Sequence, residues 1–155
     1  MHAREAMDKL IFVFIGGGIG SAARFGIGQL IASRSGQRVN AAAQGQDLAS
    51  SHWLTTFPVA TLIVNLVGCV LIGFIWSWAI ARDQGQSTMM YFLVVGVLGG
   101  FTTFSSFGWE TFSLIQEHRF GAAGIYVSAS LLFGLLGVLA GYATGSQFFG
   151  TAIQP

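Results

Sequence analysis

The sequence predicts an all-α membrane protein of four transmembrane helices with the third helix broken, and three observations carry that prediction. Of the 155 residues 53% are hydrophobic and only 8% are charged, against roughly 25% charged in a soluble domain. Four apolar segments, about 10–32, 57–81, 89–115 and 121–149, each reach the ~20 residues that cross ~30 Å of hydrocarbon. The third carries two adjacent glycines and then four hydroxyl residues near its centre, residue types that favour competing backbone geometries over a helix.

The first span follows a polar start, Met1 to Lys9. That arrangement resembles a secretory signal, but the apolar run is too long for one and contains Arg24, so it reads as a retained helix. The cluster Gly16, Gly17, Gly18 and Gly20 does not make a phosphate-binding loop, because no strand precedes it and no Gly-Lys-Ser/Thr follows. A guanidinium at the depth of Arg24 costs at least ~2.5 kcal/mol on insertion scales unless it reaches water. Two readings stay open: it snorkels to the interface, or it makes a positive vestibule that attracts anions.

Residues 33–53 are polar, rich in Ser, Gln, Gly and Ala, and read as an extramembrane loop. On the second span Thr61 and Asn65 lie one turn apart. An intramembrane asparagine serves either as glue between helices or as an amide donor aimed at a passing anion. Cys69, the single cysteine, excludes a disulfide framework or a cysteine metal site within one chain and reads as a packing residue.

The links at 82–88 and 116–120 are short, which makes neighbouring helices antiparallel. Within the third span, Gly96 to Phe107 predicts a helix break. Irregular backbone at membrane depth persists only where protein buries it or a cavity receives it, and its freed carbonyls suit a cation such as Na⁺. Phe104 and Phe107 are neighbours on one helical face; aromatic ring edges are positive and suit a small, partly dehydrated anion, although packing is the commoner use. Glu110 continues that face. On the fourth span Gly137, Gly141 and Gly145 have helix-packing spacing. Tyr126 and Ser130, four apart, either extend a hydroxyl-lined path or are an interfacial tyrosine and a packing serine.

These features exclude several functions. A net charge of +1 with no basic patch argues against a nucleic-acid partner. His2, His52 and His118 all fall outside the spans, and Glu110 has no carboxylate partner in its own span, so the chain reads as a non-enzyme. The Lys and Arg residues flanking the spans divide evenly, with Arg4, Lys9 and Arg82 on one side and Arg34, Arg38 and Arg119 on the other. Such a balance fits a chain that inserts both ways and pairs head to tail.

The stretch Gly99-Gly100-Phe101-Thr102-Thr103-Phe104-Ser105-Ser106-Phe107 resembles the signature of the Fluc fluoride channels, also called CrcB proteins, with Ser106 where threonine is common. Gly16 to Phe25 and Thr61 to Gly68 supply two further motifs in the right order, so the resemblance spans the chain from Gly16 to about Gly145. It implies a passive, fluoride-selective channel in the cell inner membrane, built as an antiparallel dual-topology homodimer surrounded by lipid, that lowers cytoplasmic fluoride. It further implies pore roles for Asn65, Thr103, Phe104, Ser106, Phe107, Tyr126 and Ser130. Arg24 falls near the vestibule and Glu110 near the pore end. The carbonyls of Gly99 and Thr102 are implied ligands of a structural Na⁺ shared between two copies. The segment between Arg24 and Asn65 is longer than the family leads one to expect, the excess falling in 33–53.

Two other classes compete. A dual-topology proton-coupled multidrug exporter requires a carboxylate in the first span, and 10–32 has none. A structural membrane subunit accounts for the glycines and aromatics but not for the hydroxyl-rich break.

Overall fold

The computed structural model describes residues 2–42 and 57–150. Helix α1 runs His2–Ala42, and α2 runs Val59–Ala81 immediately after Pro58. The third span divides into α3 (residues 88–101) and α4 (Phe104–Gln116), and α5 runs Phe120–Phe149. Among the described residues four helical stretches are long and apolar enough to cross a membrane: Arg4–Ile31, Val59–Ala81, Thr88–Gln116 and Phe120–Phe149. The chain is therefore a multi-pass membrane protein by length and composition.

The loop expected over 33–53 begins later than the polarity implies, because α1 continues as helix through Ala42. The alanines at its end favour helix, and Ser33 bonds back to the Leu30 carbonyl at 2.9 Å without leaving it. Residues 43–53 of that expected loop, including His52 and Trp53, lie outside the described residues.

The helices pack as two pairs, α1 against α3 and α2 against α5. Burial of apolar surface cannot drive this association in lipid, so close backbone approach does. A Cβ at Gly20 would strike the Val97 carbonyl, and one at Gly100 would strike the carbonyl of Gly17. In the other pair a Cβ at Gly73 would meet the Val138 carbonyl and one at Gly141 the Val70 carbonyl. The helical stripes of small residues are thus the surfaces on which each pair closes. A smaller core of Leu114, Ala123 and Tyr126, with Phe57, Leu62 and Phe107 around it, joins α4 to α5 and the start of α2.

The third span starts at an N-cap, where the Met90 N–H donates to Ser87 Oγ at 3.3 Å. From Tyr91 to Leu98 it follows the wider π pattern of i→i+5 bonds. It returns to α-helix for Gly99–Phe101 and then breaks at Thr102 and Thr103, both extended. The break therefore lies after the glycine pair, not in it. Gly99 and Gly100 stay helical because Gly100 is where α1 needs a surface without a side chain. At the other end of the bundle Gly150, at φ 73°, terminates α5 by donating its N–H to the Ser146 carbonyl at 2.9 Å.

Candidate functional site: a clasped helix break beside a neutral cleft

At the break the Thr103 N–H would, in a continuous helix, donate to the Gly99 carbonyl. It donates instead to Asn65 Oδ1 at 2.8 Å, while Asn65 Nδ2 donates to the Thr103 carbonyl at 3.1 Å. One side-chain amide from α2 thus satisfies both polar groups of one extended residue. The residues on either side are held locally. Thr102 donates its N–H at 2.9 Å and its hydroxyl at 2.8 Å to the Leu98 carbonyl. Thr103 Oγ1 caps α4, accepting from the Ser106 N–H at 3.1 Å, and lies 3.1 Å from Ser106 Oγ and 3.2 Å from Ser105 Oγ.

The N-terminal side of the break is held from α1. Arg24 Nε donates to the Gly100 carbonyl at 3.1 Å, and Ser21 Oγ reaches the same oxygen at 3.4 Å. Arg24 is half-buried and engaged with backbone.

A cleft of about 370 Å³ opens beside the break. Asn65, Gly99, Thr102, Thr103, Phe104, Phe107 and Ser130 are among its lining residues, and none of the described lining residues carries a formal charge. Phe104 and Phe107 stand 5.7 Å apart between ring centroids with planes tilted 42°. Their surroundings differ: Phe104 is 82% exposed, whereas Phe107 packs on Tyr126 at 5.2 Å. Gly99 and Thr102 line the cleft, and the break takes their carbonyls, together with that of Gly100, out of the regular ladder. Neutral carbonyl oxygens are the donor set that suits Na⁺.

Beyond Phe107 lies a second polar cluster. Thr61 Oγ1 donates to Glu110 Oε1 at 2.6 Å, and the Tyr126 hydroxyl donates to Glu110 Oε2 at 2.7 Å. Tyr126 is fully buried, with Phe57 edge-on to it at 5.6 Å. Tyr126 is absent from the cleft lining, and Ser130, one turn further along α5, is present in it. Of the residues singled out in the sequence, Asn65, Gly99, Thr102, Thr103, Phe104, Phe107 and Ser130 share the cleft. Tyr126 and Glu110 form the adjoining cluster, Ser106 supports the cap, and Arg24 stands on the opposite flank of the break. Sequence reasoning missed Thr61 as a partner of Glu110 and Ser21 as a partner of Gly100. Their signal was spacing: Thr61 lies one turn before Asn65, and Ser21 three residues before Arg24.

Comparison with known proteins agrees with this architecture. Residues 11–142 match the family described as CrcB-like protein, camphor resistance. A protein of Methylobacterium nodulans named fluoride-specific ion channel FluC is 36% identical over 142 residues, covering 92% of this chain and 99% of its own. A Bacteroides fragilis protein of the same name is 38% identical with the same coverage, and one from Helicobacter pylori is 36% identical over 92% of this chain and 98% of its own. A four-span bundle with its third helix broken beside a neutral cleft, matched over nearly its whole length, belongs to the CrcB-like family.

Proposed function

We propose that this protein is a fluoride-selective ion channel that passively exports fluoride across the cell inner membrane and lowers its toxicity in the cytoplasm. The observation that carries the reading is the near full-length match to relatives named fluoride-specific ion channels. The geometry supports it: the cleft sets amide, hydroxyl and aromatic groups among apolar residues, a lining that suits a small, partly dehydrated anion. Fluoride passes along Asn65, Thr103, Phe104, Ser106, Phe107, Tyr126 and Ser130, with Glu110 toward the pore end. Ring edges and polar hydrogens replace part of its hydration shell, and a narrow path of this kind discriminates by size.

The working unit is an antiparallel dual-topology homodimer in lipid. Two observations support it: the even division of flanking cations, and the 82% exposure of Phe104 beside a polar break, which a second copy would cover. In that unit the Gly99 and Thr102 carbonyls of the two copies would hold a structural Na⁺, whose charge would offset the carbonyl dipoles. Replacing sodium by N-methyl-D-glucamine throughout purification should lower the thermal stability of the dimer; no change would remove sodium from the structure.

The deciding experiment is fluoride release from liposomes carrying the purified protein, followed with a fluoride electrode, with chloride release and protein-free liposomes as controls. Rapid fluoride release with negligible chloride release is expected. Folded protein that releases no fluoride under a sustained gradient would overturn the reading.

A further inference from the structure

An arginine within a membrane span is most simply assigned to attract anions. The contacts of Arg24 point elsewhere. Its Nε–H is directed at the Gly100 carbonyl, 3.1 Å away, and Ser21 reaches the same oxygen from the preceding turn. In an unbroken helix that carbonyl would accept from the N–H of Phe104, but the extension of Thr102 and Thr103 separates the two. A carbonyl orphaned within the hydrocarbon region is too costly to leave unpaired. Gly100 also permits the approach, since a Cβ there would collide with the α1 backbone at Gly17.

The break is therefore gripped on both flanks, by Asn65 of α2 at Thr103 and by Arg24 of α1 at Gly100. We infer that Arg24 is a positioning residue, which acts through the Gly100 backbone to fix the cleft-lining segment, and that its N–H donor rather than its charge is what the channel requires. The inference rests on the fluoride-channel reading for its transport readout, but not for its structural one.

Side-chain geometry separates the two roles. The Nε2 of glutamine is the fourth atom beyond Cα, the position Nε holds in arginine, so Arg24→Gln keeps a donor at the Gly100 carbonyl and removes the charge. Lysine has a methylene at that position and its ammonium one bond further, so Arg24→Lys keeps the charge and displaces the donor. Arg24→Gln should keep fluoride flux per folded protein within about threefold of the native value, whereas Arg24→Lys should lose about tenfold, as expected for one displaced hydrogen bond. The melting temperature of the detergent-solubilised protein should follow the same order.

The reverse order, with lysine active and glutamine inactive, would overturn the inference. Native protein that carries no fluoride would overturn the function instead, and the melting temperatures would still decide the role of Arg24. If neither variant folds, the native channel decides: flux held steady as ionic strength rises from about 0.01 M to about 0.15 M supports a latch. A several-fold fall over that range, in which the Debye length shrinks from ~30 to ~8 Å, marks an attracting charge and overturns it.

Discussion

Two hydrogen-bonded clusters connect α2 to the second half of the third span, and they differ in what they hold. The clasp at Asn65 is neutral and directed at backbone: it binds both polar groups of Thr103 and so holds the shape of the chain. The cluster at Glu110, one turn away along α2, is made of side chains: Thr61 and Tyr126 each donate to one carboxylate oxygen and so hold the orientation of a group. The first lies at the cleft and the second behind Phe107, within the core shared with Leu114 and Ala123. The difference teaches that neighbouring polar positions on one helical face can be divided between holding backbone shape and orienting a side chain.

Truncation of the aromatic pair between the clusters should have the largest effect. Phe104→Ala should abolish fluoride flux, a loss of about 100-fold or more, while shifting the monomer's own stability by under about 1 kcal/mol, since the ring is largely exposed. Phe107→Ala should abolish flux and also cost about 3 kcal/mol, because that ring packs on Tyr126. Equal stability losses in thermal unfolding would erase the distinction between the two rings.

The clasp comes next. Asn65→Ala leaves a donor and an acceptor of Thr103 unpaired and should cost about 2–4 kcal/mol, at ~1–2 kcal/mol for each half-buried group. Asn65→Asp keeps the acceptor but sets a carboxylate against the Thr103 carbonyl and on the proposed anion path, so it should suppress flux even where folded protein is recovered. Unchanged flux would remove Asn65 from the pore. Tyr126→Phe keeps the buried ring and loses one donor to the Glu110 carboxylate, for about 1.5 kcal/mol by unfolding. Thr103→Ser, which retains the capping hydroxyl, should be the mildest at under about 0.5 kcal/mol. A larger loss from Tyr126→Phe than from Asn65→Ala would invert the comparison.

Much of this was legible because a membrane makes apolar length and stranded polar groups conspicuous. The four spans follow from hydropathy, and the break follows from two glycines beside four hydroxyl residues. What could not be read was the residue at which the helix gives way. That depends on Gly17, far away in the chain, which needs Gly100 helical and bare against it, so the distortion moves to the two threonines. The partners of Glu110 were hidden for a similar reason, since they come from two other spans. The partner of Arg24 is not legible in the sequence because no local pattern names a backbone carbonyl. The extension of α1 to Ala42 is not legible from polarity, because alanine-rich polar sequence is compatible with helix as well as loop.

The π-bonded stretch Tyr91–Leu98 has a consequence for how the chain tolerates changes in length. Bonding i→i+5 fits one residue more into a turn than i→i+4, so the stretch already accommodates the equivalent of a single inserted residue. Removing one residue there would let the segment relax to an ordinary helix while the faces on either side keep their partners. The same deletion between Phe104 and Glu110 would rotate everything after it by about 100° and carry Glu110 away from Thr61 and Tyr126. Of the two halves of the third span, the one before the break can absorb a change in length, and the one after it cannot.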